Sequence, residues 1–152
     1  MQDELALWRY AMDGRRVIFR ARQVMDEFGG SEMSSEHLVL GLLDEDVAAS
    51  RDLANLTLPK EELKEWLVKP LLSRGRPEYS NVAVSAVVRE ILRHACEEAD
   101  RLGHEKVFSS HILLGVLLEG TTDVARYLMR YGQDAQDLRR KLRERKPMEE
   151  DE

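Results

Sequence analysis

One ten-residue stretch occurs twice, and that duplication constrains the fold more than any other feature. Ser34-Ser35-Glu36-His37-Leu38-Val39-Leu40-Gly41-Leu42-Leu43 returns as Phe108-Ser109-Ser110-His111-Ile112-Leu113-Leu114-Gly115-Val116-Leu117, at a spacing of 74 residues (37 to 111, 41 to 115). The register extends beyond the stretch: Val17 answers to Ile91, Ala21 to Ala95, Phe28 to Leu102 and Gly29 to Gly103. A fixed period means one supersecondary unit used more than once, its faces buried against its own copy.

Each unit reads as helical. Val17, Ala21, Val24 and Phe28 fall on one face of an α-helix, with Asp13 as its expected cap and Gly29-Gly30 as its stop. Ser35 is expected to cap a second, short helix, with Glu36 at its first and His37 at its second position. Gly41 lies inside that helix, where glycine costs about 1 kcal/mol against alanine. Its recurrence as Gly115 implies that another backbone passes close by in both units. A third helix is expected over 47–55, and a fourth from Pro59 with Leu63, Trp66 and Leu67 inward.

In the second unit Ser85 caps a helix with Val88, Ile91, Leu92, Ala95, Ala99 and Leu102 inward. Ser109 caps the short helix, Thr121 or Thr122 opens the next, and a last helix carries Leu138 and Leu142. Nothing alternates with the period of a strand. The expected fold is all-α, about eight helices in two pseudo-twofold repeats of four. The units are placed at 13–68 and 84–146, after a lead-in at 1–12. Residues 69–83, where Pro70, Gly75 and Pro77 break helical continuation, are the linker, and 147–152 form an acidic disordered tail.

Composition narrows the function. The chain of 152 residues carries a net charge of −6, which disfavours nucleic acid as a partner. No apolar run reaches membrane-spanning length and no basic-then-apolar leader opens the sequence, so no membrane association is expected. The single cysteine, Cys96, rules out an intrachain disulfide and reads as a small core residue in a cytoplasmic protein. His37 and His111 lack ligands at metal spacing and a nucleophile for base catalysis, so no metal, cofactor or catalytic residue is expected. Both read as histidines that tie the short helices in place, and His94 and His104 as surface residues. Arg139 to Lys146 reads as a solvated basic face. Trp66 is expected in the core, and Trp8 and Tyr10 are the candidate partner-interface residues.

The two signature stretches resemble the Clp N-terminal (Clp repeat) domain, found at the front of unfoldases such as ClpA and ClpC. The family pattern is a helix, a Gly-Thr-Glu-His-Ile-Leu-Leu-Gly-Leu-like segment, then Val-Ala and Leu-Gly landmarks. Ser34 to Leu43, Phe108 to Leu117, Leu102-Gly103-His104, Val124-Ala125, Leu128 and Gly132 carry the match. The resemblance implies a non-enzymatic, all-helical module of the Clp proteolysis system that binds substrates, adaptors or phosphoarginine-marked proteins. It places a guanidinium contact at Glu36, with Ser110 at the mate position; independently of the resemblance, the helix starts at Ser34-Ser35 and Ser109-Ser110 are candidate ligand sites, because helix N-termini attract anions such as phosphate. The family glutamate survives as Glu36 and is replaced by Ser110, which leaves at most one charged phosphoarginine site. Tyr10-Ala11 and Val84-Ser85 stand where family repeats begin with Phe-Thr. No Gly-x-x-x-x-Gly-Lys-Ser/Thr loop occurs, so this chain does not bind ATP in the P-loop manner. Residues 1–12 and the acidic tail favour a stand-alone protein. The alternative is a structural or assembly factor for a Clp protease complex, its ligand sites vestigial.

Overall fold

The computed structural model describes residues 6–28, 32–44, 46–54, 56–72 and 83–144. After a 3-10 turn at Leu7–Arg9, the first unit holds α1 (Met12–Phe28), the two-residue strand β1 (Glu32–Met33), α2 (Ser35–Leu42), α3 (Ala49–Leu53) and α4 (Lys60–Leu72). The second holds β2 (Ala83–Val84), α5 (Ala86–Arg101), α6 (Ser109–Glu119), α7 (Asp123–Arg130) and α8 (Ala135–Glu144). The fold is all-α, with eight helices among the described residues. Gly29, Gly30, Gly75, Pro77 and the tail lie outside them.

The most apolar helices, α2 and α6, are central. All of α2 except Glu36 is buried, as is α6 from Ser109 to Leu117. Each lies along the first helix of its own unit, α2 on α1 and α6 on α5. The glycines make this possible. A Cβ on Gly41 would collide with the Val17 carbonyl oxygen and come within 3.3 Å of the Ala21 nitrogen. A Cβ on Gly115 would meet the Ile91 oxygen and the Ala95 nitrogen, the latter at 3.2 Å. These four contact residues are themselves mates at the 74-residue spacing, so one crossing is built twice.

The halves also exchange short extended segments. Met33 pairs in parallel with Val84, and Val107 with Tyr10. The second pair is the first with the halves swapped. Its hydrogen bonds follow: the Ser85 N–H donates to the Met33 carbonyl at 3.1 Å, and the Ala11 N–H to the Val107 carbonyl at 3.0 Å. Thr57 and Tyr131, mates of one another, meet where the Thr57 N–H donates to the Tyr131 carbonyl at 3.0 Å. Each half thus completes the backbone pairing of the other, around one shared core.

Three expectations need correction. Pro70 does not stop α4, which runs on to Leu72. A proline costs its helix one N–H donor and crowds the preceding turn; here it falls in the last turn, with Leu67 and Leu71 still buried on either side. The third helix is shorter than expected, because Val47 and Ala48 enter it through turns rather than helix. Arg139 is not part of a solvated face. It grips the buried Glu98 of α5 through Nε at 3.0 Å and a terminal nitrogen at 3.1 Å, anchoring α8. Arg101 pairs with the same carboxylate. A buried carboxylate needs such partners, since leaving it uncompensated is costly.

Candidate functional site

The starts of α2 and α6 show why histidine recurs. Ser34, not Ser35, caps α2: its Oγ accepts the His37 N–H at 3.4 Å, and the Ser34 N–H donates to His37 Nδ1 at 2.9 Å. That shifts Glu36 to the second and His37 to the third helical position. In α6 the cap is Phe108, whose N–H donates to His111 Nδ1 at 2.9 Å. Phe108 has no side-chain acceptor, so the reciprocal half of the motif is missing there. Each histidine does what a glutamate does at the third position of a capping box, as a neutral ring that can be buried. His37 and His111 are both fully buried.

His111 is held at its other nitrogen too. With Nδ1 accepting, the proton must sit on Nε2, which lies 2.9 Å from His104 Nδ1. His104 is therefore an acceptor in a relay, not the surface residue its sequence context suggests. Partial burial lowers its pKa below the ordinary 6.5.

The two helix starts are chemically unequal. At α6, Asp13 reaches over from α1: one carboxylate oxygen accepts the Ser109 N–H at 2.7 Å and the other the Ala48 N–H at 2.8 Å. Asp13 thus caps α6 and the approach to α3 rather than its own helix. Ser109 Oγ accepts the Ala49 N–H at 2.9 Å, and Ser110 Oγ donates to Asp52 at 3.1 Å. A helix N-terminus attracts anions, and here the chain's own carboxylates fill that role. Ser109 and Ser110 are buried in the junction between the halves and are spent on it. At the mate positions Asp13 is answered by Val87 and Asp52 by Arg126, so this closure has no counterpart at α2. There Ser35 is buried, while Ser34 and Glu36 are half-buried.

The expected interface pair splits. Tyr10 is 1% exposed and belongs to the core, because the Val107 pairing draws it in. Trp8, two residues earlier, is 69% exposed. Met12 and Phe19 on α1 are 45% and 47% exposed; being seven residues apart, they share one helix face. Arg15 clamps the 3-10 turn bearing Trp8 onto α1, its Nε donating to the carbonyls of Leu7 at 3.1 Å and Tyr10 at 2.9 Å. Phe19 was not anticipated from the sequence. The available signal was a large apolar side chain off the Val17–Ala21–Val24 stripe, with Met12 seven residues before it. Trp66 is half-buried and stacks on Tyr127 across the halves, ring centres 4.0 Å apart. Among the described residues no group of three or more His, Cys, Asp or Glu is arranged to hold a metal ion, and no helix is long and apolar enough to cross a membrane.

Known proteins agree with this architecture. No protein-family model matches the chain. It is 29% identical over 125 residues to ClpC/MecB of Bacillus subtilis, a negative regulator of genetic competence, covering 82% of this chain and 15% of that protein. It is 27% identical over 125 residues to the chaperone protein ClpB of Oceanobacillus iheyensis, with the same coverage. Among solved structures, the N-terminal domain of the chaperone ClpD from Arabidopsis thaliana superposes with a TM-score of 0.69 at 18% identity, over 89% of this chain and 95% of that one. The ClpV N-domain in complex with a VipB peptide superposes with a TM-score of 0.74 at 17% identity, over 93% and 89%. The chain is a relative of the Clp N-terminal domains. It spans about 15% of the length of the curated Clp relatives it matches. Compared with the family segment, this Clp N-domain relative keeps the histidine and glycine of both repeats but the glutamate of only one.

Proposed function

We propose that this chain is a non-enzymatic protein-binding module of a Clp proteolysis system, docking substrate or adaptor segments on the face carrying Trp8, Met12 and Phe19. One observation carries the reading: of the five large apolar side chains exposed among the described residues, three stand on the first helix and the turn before it, the others being Leu72 and Met129. Exposed aromatic side chains grouped on one surface mark partner sites more often than scattered single ones do. The ClpV N-domain, of the same fold, was solved with a VipB peptide, which supports peptide binding as a use of this architecture. The face occurs once, since Met12 and Phe19 are answered by Ala86 and Arg93; binding is one to one.

The test is affinity purification from the native host after cross-linking, with wild type and Phe19→Asp in parallel. The expected result is recovery of a Clp unfoldase, its protease or known Clp substrates by wild type, and their loss in the variant. Recovery of no Clp component or substrate by wild type overturns the reading.

We propose phosphoarginine recognition as a separate activity at Ser34, Ser35 and Glu36; the bonds of Ser109 to Asp13 and of Ser110 to Asp52 favour that helix start over the one at α6. A carboxylate near a helix start can meet a guanidinium while the helix N–H groups meet a phosphate. Calorimetric titration of free phosphoarginine decides it: binding by wild type that Glu36→Ala abolishes is expected, and no binding by wild type rejects it. A mate site closed from within, with Ser110 committed to Asp52, is what the assembly-factor alternative expects of that half.

A further inference from the structure

The apolar face of α1 is flanked on both sides by arginines in a chain that is negative overall. Arg15 and Arg22 lie on one side of Met12 and Phe19 along the helix and Arg16 on the other. None of the three forms an ion pair among the described residues, although acidic side chains are abundant on this protein. Arg22 Nε is shielded from water and has no acceptor there. A fourth cation, Lys106, donates to the Trp8 carbonyl at 3.1 Å. On the same helix Asp13 is turned inward to α3 and α6, and Glu27 lies 3.8 Å from Arg20. The acids of α1 that adjoin the face are those of its last turns, Asp26 and Glu27, beyond Phe19.

We infer that the partner segment is an acidic amphipathic one, with two or three large apolar side chains flanked by aspartate or glutamate. The inference rests on the reading of this face as the docking surface. The physical reason is complementarity: opposite potentials at the rim of an apolar patch speed encounter and exclude basic competitors. The arginine guanidinium also suits carboxylates, which it can meet with two parallel hydrogen bonds. The mate surface has no such combination, because Phe19 is answered by Arg93, which pairs with Glu90 and Glu97 on its own helix.

The experiment is selection from a random linear peptide library displayed on phage, against the intact protein, followed by affinity measurement of the enriched peptides as free synthetic chains. Enriched peptides are expected to carry large apolar residues flanked by acids. Their affinity should fall at least about tenfold for Arg16→Glu/Arg22→Glu and decline with added salt, as exposed charge pairs do. The paired variant should itself select basic-flanked peptides. Both positions lack an ion pair, so the double variant is expected to keep the wild-type circular dichroism; Arg16→Gln/Arg22→Gln, with an intermediate loss, serves as the second variant. Enriched peptides that are neutral or basic, and that still lose binding in Phe19→Asp, overturn the charge inference and leave the docking face standing. Enriched peptides indifferent to Phe19→Asp, or no enrichment at all, overturn both. A dimer in light scattering that Phe19→Asp converts to monomer also overturns the inference, since the occupant is then a second copy.

Discussion

At the scale of single residues, the two buried glycines set the tightest constraint. Gly115 lets the α6 backbone approach α5 so closely that one methyl group has nowhere to go. The obstacle is backbone, which cannot swing aside as a flexible side chain would. Gly115→Ala is expected to destabilise the domain by about 1–3 kcal/mol, the usual cost of overpacking, despite alanine's better helix propensity. Gly41→Ala should cost a similar amount, because the crossing is the same. Urea unfolding of both variants checks this, and a variant as stable as wild type would show that the helices separate without penalty. The glycines were legible in the sequence, since glycine inside two matching apolar helices needs a reason and close packing supplies it. Asp13 was legible only as a helix-start residue. Which helix it caps depends on a contact 96 residues away in the chain, and no local pattern carries that. The burial of Tyr10 follows in the same way from its distant partner, Val107.

At the scale of elements, the start of α6 is the pH-sensitive point. His104 must accept a hydrogen bond from His111, so a proton on His104 Nδ1 would set two N–H groups face to face. Its pKa is lowered in the folded state, chiefly by burial. The unfolded chain therefore binds a proton that the folded chain resists, and stability is lost as pH falls below about 6.5. Above that value the ring is neutral in both states and the effect vanishes. His104→Gln keeps an acceptor for His111 without titrating, so its melting temperature should fall less between pH 7 and pH 5 than that of wild type. Parallel pH profiles for the two proteins would reject the relay. In the first unit position 104 is answered by Gly30, so no second relay of this kind is encoded there. The signature histidines were readable as structural residues, but not their places at the third helical position. An N-cap is set by backbone geometry that shifts by one residue without changing the sequence pattern, and Ser34-Ser35 offers two adequate caps.

At the scale of the whole molecule, the two repeats share one core and exchange backbone pairs, so they are expected to fold as one unit. Met33 with Val84, and Tyr10 with Val107, place part of each half's backbone pairing in the other half, and Asp13 bridges α3 and α6. A fragment ending at residue 72 would expose the faces of α2 that pack on α5, α6 and α7. Separate fragments 6–72 and 83–144 are thus expected to lack native circular dichroism alone, and the intact chain to unfold in one transition. Two resolved transitions would contradict this. The duplication itself, the all-α class and the helical faces were open to inspection in the sequence. The reciprocal exchange was not, because a two-residue strand leaves no periodicity to detect. The exposed apolar face proposed for docking was half visible: Trp8 stood out near the start of the chain, but Phe19 was hidden inside a helix whose buried stripe is continuous without it.

We assign peptide docking to the first helix and its leading turn, once per chain, separately from the phosphoarginine site proposed at the start of α2. Amide hydrogen exchange of the protein with and without a peptide enriched from the library tests it most directly. Added protection is expected only in the Leu7–Arg9 turn and α1, at one peptide per chain. Protection at the starts of α2 and α6 instead, or two peptides bound symmetrically across the halves, would contradict it.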